Sequence, residues 1–119
     1  GLGYPGQAML HPDQPIRVPS LVEGDYVHDI AYDFYGTRLA LCTSSLRISI
    51  YSCNQGEGTE DAWTEIARMD PRFRTDCTHE GPIWRLCWGH PESGEPLASC
   101  SEDGNVIIWT ESGSSAIKN

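Results

Sequence analysis

The sequence is short of positive charge: 8 Lys and Arg stand against 17 Asp and Glu, for a net charge of −9 and a pI near 4.6. Nucleic acid and anionic membrane surfaces are held by clustered Lys and Arg, so neither is an expected partner. Long apolar runs are missing too. None approaches the roughly 18 residues of a membrane-spanning helix, which leaves no candidate for membrane insertion, and the first residues show neither the basic nor the apolar region of a secretory signal. There is no C-x-x-C pair. The cysteines Cys42, Cys53, Cys77, Cys87 and Cys100 are odd in number and at least three fall inside strand patterns, so reduced thiols of a cytosolic or nuclear protein are expected.

What is present is β patterning. Residues 1–24 carry Pro5, Pro12, Pro15 and Pro19 with several glycines, which prevents a regular helix, disfavours a central strand and suggests a flexible or extended arm. From Val27 the pattern tightens: Ile30, Tyr32 and Phe34 alternate, Gly36 turns, Leu39 to Thr43 forms a second strand, and Ile48 to Tyr51 a third. Cys53 to Asp61 reads as an acidic, Gly-rich loop and Trp63 to Ala67 as a short outer strand, which closes a first unit at 25–67. A linker at 68–78 leads to a second unit at 79–111 and a tail at 112–119. In the second unit, Asp103-Gly104 is expected to supply the positive φ angles of a tight hairpin.

The two units repeat. Leu39, Ala40, Cys42, Ile48, Ile50 and Tyr51 correspond to Leu97, Ala98, Cys100, Val106, Ile108 and Trp109 at an offset of 58, while Val27, Ile30 and Tyr32 correspond to Ile83, Leu86 and Trp88 at 56. The turn from His90 to Gly94 accounts for the two-residue difference, which a repeat of strand-turn-strand modules tolerates. Val106 and Ile108 point one way and Ile107 and Trp109 the other, so the second unit is expected to lie between two neighbours. In the first, Ile48 and Ile50 oppose Arg47, Ser49 and Tyr51, the alternation of a sheet with one wetter face.

Residues 79–109, opening on His79 and closing on Trp109, resemble the WD-repeat signature. The resemblance narrows at His28-Asp29, at Asp33-Phe34-Tyr35-Gly36, and at Pro82-Ile83-Trp84-Arg85-Leu86-Cys87-Trp88-Gly89-His90-Pro91. These are similar to the Seh-family nucleoporins and their relative, the small propeller of the COPII coat. It implies an all-β fold: a partial WD-repeat β-propeller, two four-stranded blades of a larger, six-bladed open ring. A blade takes about 40 residues and a ring about four blades or more, so the chain is expected to be part of a longer protein.

The same resemblance implies a set of roles. His79, Ser99, Asp103 and Trp109 occupy the places of a structural hydrogen-bonded tetrad. That role is preferred to a catalytic Ser-His-Asp reading, which would require an exposed nucleophile and an oxyanion site. Leu41, Ser45 and Tyr51 stand at the matching places of the first unit, which should be held by packing alone. No metal or cofactor is expected, since the spacing of Cys77, His79, Cys87 and His90 fits no familiar zinc framework; Trp84 and Arg85 read as a packed or protein-contacting pair. The implied function is a non-enzymatic scaffold of the Y-shaped nuclear pore complex at the nuclear envelope, and also of a vacuolar or lysosomal nutrient-signalling complex. The partners are a helical-solenoid nucleoporin that completes the ring and other Y-complex subunits. Val27, His28, Asp29, Ile30, Arg47 and Ser49 are the expected partner-binding residues. The alternatives are a COPII-coat propeller in vesicle transport and a WD-repeat substrate adaptor of a ubiquitin ligase.

Overall fold

The computed structural model describes residues 24–52, 63–72 and 78–111 in full, and Cys53 and residues 113–118 by their backbone. The strands are β1 (Val27–Tyr32), β2 (Arg38–Thr43), β3 (Ile48–Cys53), β4 (Trp63–Met69), β5 (Ile83–Trp88), β6 (Leu97–Ser101), β7 (Asn105–Thr110) and β8 (Gly113–Lys118). They form two antiparallel four-stranded meanders, β1-β2-β3-β4 and β5-β6-β7-β8. The proline-rich arm, apart from Gly24, and the acidic loop after Cys53 lie outside the described residues.

The turns explain why the strands stop where they do. Between β1 and β2, Gly36 adopts a left-handed φ of 70° and its amide reaches the Asp33 carbonyl at 3.1 Å. The β6–β7 turn closes through the Gly104 amide on the Ser101 carbonyl at 3.1 Å, with Gly104 at φ 85°. Of Asp103 and Gly104 only the glycine takes a positive φ. The sequence expectation of two such residues is therefore corrected: this is a three-residue hairpin with one left-handed position, not a two-residue one. Leu46 fills the matching position of the β2–β3 turn, at φ 68°, with its amide on the Thr43 carbonyl at 3.1 Å.

The sheets stack through their first strands, β1 against β5. Ala40, Cys42 and Ile48 meet Ile83, Leu86, Leu97, Ile107 and Trp109 in one buried cluster, with Ala31, Ile50, Met69 and Trp88 at its margin. Each fully covered Ile or Leu contributes roughly 1.5–3 kcal/mol relative to exposure, so this seam is the main apolar source of stability for the pair. Both inner strands carry a bulge at the same repeat position, between Val27 and Asp29 and between Ile83 and Arg85. The extra residues are His28 and Trp84. Two neighbouring blades of a propeller are built this way, each a twisted meander packed face to face on the next.

Three further expectations change. β4 runs to Met69, two residues into the expected linker. The expected tail contains β8, whose backbone pairs with β7 from Asn105↔Lys118 to Thr110↔Gly113; its Gly-Ser-Ser start carries no strand pattern, so the ladder rather than side-chain periodicity defines it. The wetter face of the first sheet is not wet. Arg47, Ser49 and Tyr51 are 1%, 0% and 6% exposed, so alternating polarity along β3 marks buried polar groups, not a solvent-facing side.

Candidate functional site

At the seam, the bulge in β1 turns His28 and Asp29 toward the second sheet. Asp29 Oδ2 accepts the Leu86 amide at 2.7 Å, the Trp88 indole donates to the Ala31 carbonyl at 2.9 Å, and His28 Nδ1 lies 3.1 Å from the Ile83 carbonyl. The His28 ring stacks on Trp84 at 5.7 Å and 14°. His28 and Asp29 thus tie the two blades together. Trp84, apart from this stacking, is 53% exposed.

A second anchor ties the turns at the far end. Buried Asp33 accepts from the Thr37 and Arg38 amides at 2.9 and 3.1 Å and from Arg38 Nε at 3.1 Å. Arg38 lies 4.5 Å over the Trp88 ring and its Nη2 reaches Glu95 of the second unit. Burial raises the Asp33 pKa, but the bonds from Arg38 and Thr37 and the guanidinium charge outweigh it and hold the carboxyl below its ordinary value.

The four residues singled out in the second unit come together. Trp109 Nε1 donates to Ser99 Oγ at 2.8 Å, Ser99 Oγ lies 2.7 Å from His79 Nε2, and His79 Nδ1 lies 3.1 Å from Asp103 Oδ2. An ionised Asp103 can only accept, so the network assigns the ring proton to Nδ1 and lets Nε2 accept from the Ser99 hydroxyl. This wiring is that of a hydrolytic triad, and burial decides against it. Ser99 is 1% and His79 3% exposed, so no substrate can reach the hydroxyl in the folded chain. Asp103 also accepts the Glu80 and Asn105 amides at 2.9 and 2.8 Å. Burial raises its pKa; those amides and His79 more than offset this, leaving it lowered.

The first unit is not held by packing alone. Asp25, which no motif marked, accepts the Ser45 amide and hydroxyl, both at 2.9 Å, and the Ser44 hydroxyl. Ser44 in turn bonds Tyr26 through its amide, at 2.9 Å to the carbonyl. Burial raises the Asp25 pKa, and the bonds from Ser44 and Ser45 outweigh it and leave it lowered. An acid preceding a strand by two residues, facing a Ser-Ser pair nineteen and twenty positions on, is the only trace of this in the sequence.

Of the four residues weighed as metal ligands and set aside, Cys77 lies outside the described residues and His79 serves Asp103 and Ser99. His90 Nδ1 caps the 3₁₀ turn Pro91–Ser93 by accepting the Glu92 amide at 3.2 Å. Among the described residues no cluster of His, Cys, Asp and Glu could hold a metal ion. Cys42, Cys87 and Cys100 are free thiols, and burial pushes Cys42 up to about 11.

One face of β1 is also exposed. Val27, Ile30 and Tyr32 are 38%, 54% and 56% exposed, whereas their repeat counterparts Ile83 and Leu86 are 0% and 7%. Arg47 and Ser49, expected to join that face as a partner surface, are buried and cannot offer themselves to a partner in this state.

Fold and site together define two consecutive blades of a WD-repeat β-propeller. Over this span the chain is homologous to the SEC13 and SEH1 propellers. It is 39% identical over 107 residues to protein transport protein SEC13 of Mycosarcoma maydis, covering 90% of this chain and 26% of the relative. It is 44% identical over 90 residues to SEC13 of Lodderomyces elongisporus, covering 73% and 25%. Against nucleoporin SEH1 of Danio rerio it is 37% identical over 87 residues, covering 73% and 21%. The chain spans about a quarter of the length of the curated relatives it matches. SEC13 relatives match slightly more strongly than SEH1 relatives, so the expected preference for the Seh type is not upheld. No protein-family model matches the chain.

Proposed function

We propose that the chain supplies two adjacent blades of a non-enzymatic scaffold propeller that is completed by a sheet docking on β1. The observation that carries this reading is the uncovered strip Val27, Ile30 and Tyr32, set against the covered equivalents Ile83 and Leu86 one blade later. An apolar strip that is buried in one copy of a repeat and open in the other is a vacancy of the same shape. A helical-solenoid partner contributing a blade would fill it by adding strands to the open stack. The slightly stronger SEC13 similarity favours a COPII-type coat role in protein transport over the nuclear pore. The nuclear pore scaffold at the nuclear envelope is the second reading, supported by the SEH1 relatives. Affinity purification of the endogenous full chain separates them. Coat subunits as the main stoichiometric partners support the first reading, and Y-complex nucleoporins alone support the second. Recovery of neither would remove the scaffold reading.

A further inference from the structure

A cavity of about 500 Å³ opens at the periphery of the seam, where β4 of the first blade approaches β6 and β7 of the second. It is distinct from the β1 face and is walled by the two blades already in place. Ile50, Met69 and Leu97 together with the rings of Trp88 and Trp109 make the interior apolar. The volume falls within the roughly 300–1,000 Å³ of ligand-binding pockets. Ile66 stands at the mouth, 55% exposed on the outermost strand β4, where a charged residue is the usual protection of an edge. The polar part of the lining is Arg38, Glu95, Thr110 and Glu111. The Arg38 charge is matched by Asp33 and Glu95 and its plane is covered by Trp88. Among the described lining residues one positive side chain, Arg38, stands against two negative, Glu95 and Glu111, so their formal charge is net negative.

We propose that this groove is a docking site for a short peptide segment of another protein, carrying a large aliphatic side chain beside a Lys or Arg. The aliphatic side chain enters between Met69, Trp88 and Trp109, and the basic residue lies over Glu111. The charge acts mainly on the association rate and its salt dependence, and the aliphatic side chain supplies most of the affinity.

The test uses the full chain and a fluorescein-labelled Gly-Ser-Leu-Leu-Lys-Ser-Gly peptide, with Leu→Ser and Lys→Glu versions of it. Anisotropy reports binding and tryptophan emission reports occupancy beside Trp88 and Trp109. The expected result is saturable binding accompanied by an emission change, weakened about tenfold or more by removing the peptide leucines or by Ile66→Ser in the protein. Glu111→Lys should weaken the lysine peptide and strengthen the glutamate peptide. Ile66 and Glu111 are both exposed, so unchanged urea midpoints will show that the variants fold. Absence of saturable binding, binding indifferent to Ile66→Ser, or a lysine peptide that binds no better than the glutamate one would each overturn the proposal.

Discussion

Asp25 and Asp103 clamp equivalent turns from opposite sides. Asp103 sits in the β6–β7 turn and accepts the Glu80 amide and His79 ring from the segment entering β5. Asp25 sits in the segment entering β1 and accepts the Ser45 amide and hydroxyl from the β2–β3 turn. The closure is the same, with carboxylate and donors exchanged across it. A repeat can therefore lose the residues of a motif at their usual places and keep the constraint they impose.

Replacing either carboxylate should expose this equivalence. Asp103→Ala is expected to cost about 1–3 kcal/mol, and Asp25→Ala a loss of similar order, because each leaves backbone amides without their charged acceptor. Ser45→Ala should cost less than about 1 kcal/mol, since its amide still reaches Asp25. Urea unfolding of the full chain measures all three. A silent Asp25→Ala would return the first blade to packing alone.

Acid should remove what these carboxylates contribute. Asp25, Asp33 and Asp103 are held below 3.8, their ordinary value, so in the folded state they bind protons less readily than in the unfolded one. Their contribution is fully present above pH 3.8 and is lost as pH falls from there through the folded-state values. The urea midpoint is expected to drop across that window, and to drop less in Asp33→Asn. An identical acid profile for that variant would show that Asp33 does not contribute to the dependence.

Leu46 carries the left-handed φ that Gly104 carries in the second unit. A branched side chain there costs roughly 1–2 kcal/mol, which glycine removes. Leu46→Gly should raise the thermal midpoint slightly, a gain of less than about 1 kcal/mol once the apolar contact the half-buried leucine gives up and the extra freedom of an unfolded glycine are subtracted. A lowered midpoint would show that those losses outweigh the strain.

Much of this architecture was legible in the sequence because strand alternation and the 56–58-residue repeat report side-chain faces directly. Ala40, Cys42 and Ile48, three of the repeat positions, lie in the seam cluster, and Asp103 with His79 came together across 24 positions. Other features leave no periodic trace. The bulges at His28 and Trp84 insert one residue without a glycine to mark it, which hid the commitment of Asp29 to Leu86. Arg47 and Ser49 look solvated by residue type, yet burial depends on what lies over a strand and not on its composition. β8 is held by backbone pairing, which Gly-Ser-Ser does not advertise.

The Asp29–Leu86 bond makes the seam testable by itself. Asp29→Ala should accelerate hydrogen exchange at the Leu86 amide and destabilise the pair by about 1.5–3 kcal/mol, the worth of a bond to a charged acceptor. Asp29→Asn, which keeps an acceptor oxygen, should retain part of both. Unchanged Leu86 exchange in Asp29→Ala would mean that the amide is protected by packing rather than by the carboxylate.

The most direct test of the scaffold reading is hydrogen exchange of the full-length protein with and without the proposed solenoid partner. Backbone amides of Val27 to Ala31 should gain protection on binding, because the strip bearing Val27, Ile30 and Tyr32 becomes covered, while those of Val106 to Trp109 should change little. Equal protection at both strands, or none at the first, would contradict completion of the propeller at β1.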